Sequence, residues 1–405
     1  MKQFPSLTRS AKSVRVAFLT KWDPLDPHSW SGTMRSMYLA LGRRGLSVTA
    51  LGPVHSGARL ALRCGDAVVR ALLGKSYDYR HNLWVAREYA FRFGRKLARG
   101  AFDAIFAPAA STEVSLLETH LPIVYLSDIL FPDYRDYYPQ CSNLLHFSAA
   151  EVERVEETAM RKASAFICPS DWVAGRAART YGLPPERIHV LPFGANLQWT
   201  PSYEEATRKK DMGVCRLLLL GRNWQRKGGP IAFEALKLLL EAGIDADLTV
   251  CGCVPPAGVS HPKLTVIPFL SKRDPAQVDR LANLLRTSTF LVLPTQAEAF
   301  GIVFCEASAF GLPSIARNTG GVGGVVKDGV NGYKIAQEAG ADAYARAIMD
   351  LWRDRDRYHS LCVSSRRLYD SSLNWDAWGR GAQAVLEGVA DRLSTGGAMP
   401  GIRIQ

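Results

Sequence analysis

Short apolar runs alternate with amphipathic stretches along most of the chain. Residues 14–20 (Val-Arg-Val-Ala-Phe-Leu-Thr) read as a strand. After a loop rich in Pro and Asp, Ser31 is placed to cap a helix. Met34, Met37, Tyr38 and Leu41 then recur at i, i+3, i+4 and i+7, and Gly45 closes it. Further strands are expected over 46–51, 104–107, 123–126, 165–168 and 188–191. Ser170 is expected to cap a helix that runs to Tyr181 and stops at Gly182. Between 194 and 212 the chain turns polar, with Glu204-Glu205 and Arg208-Lys209-Lys210-Asp211, as a linker does. A second series of strands starts at 216–220 and continues over 248–251, 264–267, 290–293 and 314–316. A helix over about 375–393 follows, and the tail 394–401 is expected to be disordered.

This alternation predicts an α/β chain with two parallel-sheet domains, each with helices on both faces. The expected boundaries are 1–195 and 205–374, with the helix 375–393 packing back on the first domain. A length of 405 residues agrees with more than one core.

Composition is that of a globular protein, 47% apolar and 22% charged, and no apolar run reaches the ~20 residues of a membrane span. Residues Met1 to Pro5 lack the apolar block of a signal peptide. Eight cysteines form no C-x-x-C pair, and Cys168, Cys251 and Cys305 lie in apolar runs. The expectation is a cytoplasmic protein with reduced, buried thiols.

Net charge is +12, and it is uneven. Residues 1–200 carry 25 Lys and Arg against 17 acids. The excess is densest over 56–100, where ten basic residues meet only Asp66, Asp78 and Glu88. Leu60, Leu62, Val68, Leu72, Leu73, Trp84, Tyr89 and Phe91 are interleaved with them. A basic amphipathic surface suits an anionic membrane, which places the chain on the inner face of the plasma membrane as a peripheral protein. A solvated arginine-rich face is the competing reading. No recognised motif supports nucleic acid as a partner.

Two constellations carry chemistry. The first runs Ala297-Glu298-Ala-Phe300-Gly301-Ile302-Val303-Phe-Cys-Glu306 after the apolar run 290–293. It reads as strand, loop and helix, with one carboxylate in the loop and one on the first turns of the helix. Such a junction aims backbone N–H groups and the positive end of the helix dipole at whatever docks there. Phosphate suits the amides, and sugar hydroxyls suit the carboxylates. The second is Gly221-Arg222-Asn-Trp-Gln-Arg226-Lys227-Gly228-Gly229-Pro230, a basic turn after a strand with Pro230 at a helix start. It lacks P-loop spacing. Its cations stand at the carboxyl end of a parallel strand, where open α/β sheets bind ligands.

Together these resemble the retaining nucleotide-sugar glycosyltransferases of family four, which have the GT-B fold. Glu298 and Glu306 match that family's E-x7-E with Phe-Gly between, and Gly221-Arg222 with Lys227-Gly228 match its phosphate-binding turn. Pro169-Ser-Asp-Trp172 through Gly182, then Ile188 to Gly194, match the end of its first domain. Thr319-Gly-Gly321 with Asp328-Gly329 and Asn331-Gly332 match its late loop.

The resemblance, covering roughly 12–390, implies two Rossmann-like domains facing across a cleft. It implies that Glu306 holds the ribose hydroxyls and that Glu298 contacts the donor sugar. The amides of Phe300 and Gly301 would reach the sugar, and those of Ile302 and Val303 the distal phosphate. Arg222 and Lys227 would balance the pyrophosphate. Asp128 would orient the donor sugar or the acceptor hydroxyl, and Gly32 would let backbone approach the phosphates. A UDP- or GDP-sugar would be the donor, and a lipid-linked or cell-envelope glycan the acceptor. No metal or other cofactor is implied, and the triplets Asp245-Ala-Asp247 and Asp354-Arg-Asp356 read as surface. Three departures stand out: Gly323-Gly324 in place of Pro-Glu, Asn196 in place of Asp, and Asp128 in place of His. Rival readings are a nucleotide-sugar 2-epimerase on the same fold, which lacks E-x7-E with Phe-Gly, and a non-catalytic nucleotide-sugar binder.

Overall fold

A computed structural model describes residues 13–135, 137–138, 142–209 and 213–395, with the side chains of 393–395 left aside. Strands β1 (Arg15–Phe18), β2 (Ser47–Ala50), β3 (Ala104–Pro108), β4 (Ile123–Leu126), β5 (Ala165–Cys168) and β6 (Ile188–Val190) form one sheet. Strands β7 (Cys215–Leu220), β8 (Ala246–Cys251), β9 (Leu264–Ile267), β10 (Phe290–Leu293), β11 (Ser314–Arg317) and β12 (Gly332–Ile335) form a second. Every strand pairing in both sheets is parallel. The orders are β2-β1-β3-β4-β5-β6 and β12-β11-β10-β7-β8-β9. These are the two Rossmann-like sheets of the GT-B fold.

The apolar runs are central strands with both faces covered. β4, β5 and β10 are buried along their whole length. In the second sheet the chain reverses direction of winding between β7 and β10, so a crevice opens at their carboxyl ends. The basic turn follows β7, and the Glu298 loop follows β10. The two motifs, 70 residues apart in the chain, therefore share one crevice.

Several local expectations need correction. Ser31 does not cap the helix Thr33–Arg43; Gly32 does, at φ 90°. Ser170 sits at the start of the helix Asp171–Tyr181, but its hydroxyl makes no cap bond. Gly182 ends that helix in the left-handed conformation, as expected. Glu204 and Glu205 are in a short helix, Tyr203–Thr207, closed by a capping box from Ser202 and Glu205. Lys210 and Asp211 lie outside the described residues. β12 was not anticipated: it begins in the Asn331-Gly332 loop motif and pairs with β11.

The helix Trp375–Thr395 crosses to the first sheet and packs on the helix Thr33–Arg43 and on β3. Trp378 stands 5.9 Å from the Phe106 ring. The tail beyond Thr395 lies outside the described residues. Phe193, just past β6, joins the halves: its ring is 5.8 Å from Trp30, 5.3 Å from Phe300 and 5.9 Å from Trp375. One continuous apolar cluster thus includes side chains of both sheets.

Candidate functional site at the interdomain crevice

The turn after β7 is built by its own side chains. Asn223 Oδ1 accepts the Arg226 N–H at 2.8 Å, and its carbonyl accepts the Lys227 N–H at 2.9 Å. Trp224 is buried beneath, against Gly229. Gly228 has φ 76°, and a Cβ there would lie 2.1 Å from the Pro294 carbonyl oxygen. Only glycine lets the turn approach β10 so closely. This approach places Lys227 Nζ on the Glu298 carboxylate, and both side chains are nearly buried. Arg226 donates to the Ala297 carbonyl at 2.8 Å and lies over the Tyr138 ring. Arg222 is exposed and stacks its guanidinium on Phe269 at 5.5 Å.

Gly301, at φ 94°, turns the chain into the helix Ile302–Ala309. The first N–H groups of a helix have no partner within it, so those of Ile302 and Val303 are directed to the crevice. Glu306, 6% exposed, projects from this helix and binds Lys272 at 2.9 Å. Neither glutamate is solvated.

Asn196 ties the first half to this cluster. Its Nδ2 donates to the Ser31 carbonyl and the Thr33 hydroxyl, both at 3.0 Å. Its Oδ1 accepts from Ser36 at 2.9 Å and from the Trp375 indole at 3.1 Å. Its carbonyl accepts from Lys272 at 2.9 Å. An aspartate would supply no donors for the Ser31 carbonyl, so this network accounts for the amide at this position. The network also holds Trp30 and Ser31, non-glycine residues at φ 48° and 57°.

A cavity of about 440 Å³ is lined by Arg222, Lys227, Glu298, Phe300, Gly301, Ile302, Val303, Glu306 and, from the first half, Asp128. Gly32 is the exception among the expected residues. It lies behind the wall, next to Pro27 and Asn196, while Ser31 and Thr33 line the space. A second cavity of about 850 Å³ continues into the first half and shares Asp128, Trp30 and Tyr138 with the first. Asp128 follows β4 at the junction of the two. Burial, with the nearby Glu298 charge adding to it, raises the Asp128 carboxyl to about 7, against a hydrogen bond from the Trp30 indole.

Four contributors had no motif. Lys272 stands beside Arg273 in the loop after β9; only its place at the carboxyl end of a parallel strand hints at it. Tyr137 and Tyr138 come from an irregular stretch of the first half. Their hydroxyls accept the Glu298 and Ala299 N–H groups at 2.9 and 3.0 Å. Burial raises the pKa of both phenols, so both stay protonated. Phe269 is the platform for Arg222. The late loop fits its glycines: a Cβ on Gly324 would lie 2.5 Å from Ser170 Cβ of the first half, so glutamate cannot stand there without displacing the loop.

Asp245 pairs with Lys263, and Asp354 caps the helix Arg355–Ser371, both away from the crevice. Among the described residues no group of three His, Cys, Asp or Glu side chains is placed to hold a metal ion.

Comparison with known proteins agrees in both halves. Residues 33–199 match the model for Glycosyltransferase Family 4, and residues 206–367 the model for Glycosyl transferases group 1. The chain is 27% identical over 254 residues to a D-inositol 3-phosphate glycosyltransferase of Paenarthrobacter aurescens, covering 60% of this chain and 61% of that protein. One of Streptomyces bingchenggensis is 30% identical over 49% of this chain and 47% of its own length. The chain thus spans less than two thirds of these relatives. Among solved structures, sucrose-phosphate synthase from Thermosynechococcus elongatus superposes with a TM-score of 0.67 at 17% identity, over 93% of this chain and 99% of the other. An Anabaena protein in complex with UDP and glucose gives 0.61 at 15% identity, over 93% and 100%. With two all-parallel sheets, a basic turn and an E-x7-E loop at one crevice, and both family models matched in order, the chain belongs to the group 1, family 4 glycosyltransferases.

Proposed function

We propose that this protein transfers a hexose from a UDP- or GDP-sugar to a hydroxyl of a lipid-linked or cell-envelope glycan, with retention of anomeric configuration. The observation that carries the reading is the meeting of Lys227, Arg222 and a helix N-terminus with two buried carboxylates in one cavity. Cations and amides suit a pyrophosphate, and the carboxylates suit the hydroxyls beside it. The bond from the anomeric carbon to the phosphate oxygen breaks, and a bond to the acceptor oxygen forms on the same face. The acceptor proton passes to the departing phosphate. Lys227, Arg222 and the amides of Ile302 and Val303 stabilise the charge gained by the leaving group, so no metal is required. Glu306 anchors the ribose, and Glu298 holds the sugar. Asp128, on the opposite wall, orients the hydroxyls at the reacting centre. The acceptor lies in the first-half cavity.

A panel of nucleotide sugars, offered with and without a crude lipid fraction, tests this. Free nucleotide released only with acceptor is expected. A sugar that epimerises without acceptor would overturn transfer.

Asp128 gives the reading a pH signature. Its carboxylate form accepts hydroxyl hydrogen bonds and dominates above about 7. We expect kcat/KM to rise with pH up to that point and then level, and Asp128→Asn to be slow and to lose this limb. In the unfolded chain the group titrates near 3.8, so its ionisation favours unfolding as pH rises from there to about 7. Asp128→Asn should therefore melt higher than wild type at pH 8 and alike at pH 3. An unchanged limb in the variant would remove Asp128 from the chemistry.

A further inference from the structure

The helix Gly57–Leu73 is turned inside out. Its buried residue is Asp66, which accepts the Tyr77 N–H at 2.8 Å and Arg70 Nε at 2.9 Å. Leu60, Val68 and Leu72, by contrast, are 68%, 55% and 77% exposed. With Cys64 they recur every four residues and form one stripe along the helix, bordered by Ala61, Ala67 and Ala71, all exposed. Globular helices bury such a stripe. The adjoining helix Leu83–Leu97 adds Trp84 and Phe91 at 67% and 65%, and Phe147 stands beside Trp84 at 63%. Arg63 and Arg70 flank the first stripe, and Arg87 and Arg95 lie along the second.

We infer that this face docks on an anionic lipid bilayer, with the leucines and aromatics in the acyl boundary and the arginines at the phosphate level. Charge selects the occupant. The exposed surface of the Gly57–Leu73 helix carries no acid, since its only carboxylate is buried. Two copies of this face would set arginine against arginine, whereas anionic headgroups meet both needs at once. The face is continuous with the crevice. A cavity of about 650 Å³ runs beneath it from Leu60 and Arg63 to Lys21, Trp22 and Asp26, which also line the first-half cavity. An acceptor carried in the membrane would enter by that route. Docking itself stands whether or not sugar transfer is the reaction.

The test is sedimentation of the full chain with phosphatidylcholine vesicles, with and without phosphatidylglycerol, at low and high salt. We expect pelleting only with phosphatidylglycerol, weakened by salt. Val68→Glu with Leu72→Glu should cut the partition coefficient by about tenfold or more, and Arg63→Glu should weaken it too. Unchanged melting and UDP titration would show that the variants fold; Leu72→Glu alone serves if the pair melts early. Equal pelleting with both vesicles, pelleting of the double variant like wild type, or absence of vesicle binding would each overturn the inference. So would a dimer that the double variant dissociates without any vesicle binding.

Discussion

Lys227→Ala is expected to lower turnover by ~10²–10³, the loss typical of one preorganised donor at a developing charge. Its ammonium is the cation held deepest in the crevice, 8% exposed and seated on Glu298. A buried cation is screened little by solvent and salt, so its contact with a bound pyrophosphate counts for much even though it is shared with Glu298. Arg222 is exposed and loses more to solvent, so Arg222→Ala should cost less. The fold should survive the change. The turn is held by main-chain bonds and by Asn223, none of which uses the Lys227 side chain. Nucleotide release and circular dichroism check the two halves of this expectation. Near-normal turnover with an intact fold would sink the pyrophosphate assignment.

The second large effect separates the two glutamates. Glu306→Gln should raise the donor KM first, because Glu306 is held by Lys272, and it is Glu298 whose charge acts on Asp128. Glu298→Gln should instead lower kcat by about 10², since Glu298 lies between Lys227 and the Asp128 wall, where the sugar reacts. Steady-state kinetics at varied donor concentration distinguish them. Equal KM effects from both would contradict the division. The ion pairs sharpen the comparison. Each glutamate is matched to its own lysine, so neither substitution leaves the same cation unpaired.

The parts of the site next to strand ends were legible in the chain. Runs such as 123–126 and 290–293 are buried on both faces, and the turns at their carboxyl ends are open to ligand. Turn chemistry then named Arg222, Lys227, Glu298 and Glu306. β12 was hidden because Gly-Tyr-Lys-Ile is no apolar run, its alternation lasts only four residues and opens on a glycine, and it lies at a sheet edge. Asn196 could be marked as unusual, but its four side-chain partners, Ser31, Thr33, Ser36 and Trp375, all lie far from it in sequence. Lys272, Tyr137 and Tyr138 lie in irregular segments, where spacing carries no signal. The Gly57–Leu73 helix is the opposite case. Its arginines and interleaved leucines read as a basic amphipathic surface, and Leu60, Val68 and Leu72 do face out.

The return of the helix Trp375–Thr395 to the first sheet has a bearing on synthesis. Trp378, Ala382, Val385, Leu386 and Val389 complete a core begun by Val16, Phe18 and Phe106. During translation the last strand of that sheet emerges 199 residues before Val389. At ~5–20 residues per second the nascent first half therefore waits on the order of 10–40 s with this side uncovered. The second sheet has no such delay. The later-made half is thus able to finish first, and the earlier one keeps this side uncovered until the helix Trp375–Thr395 has left the ribosome.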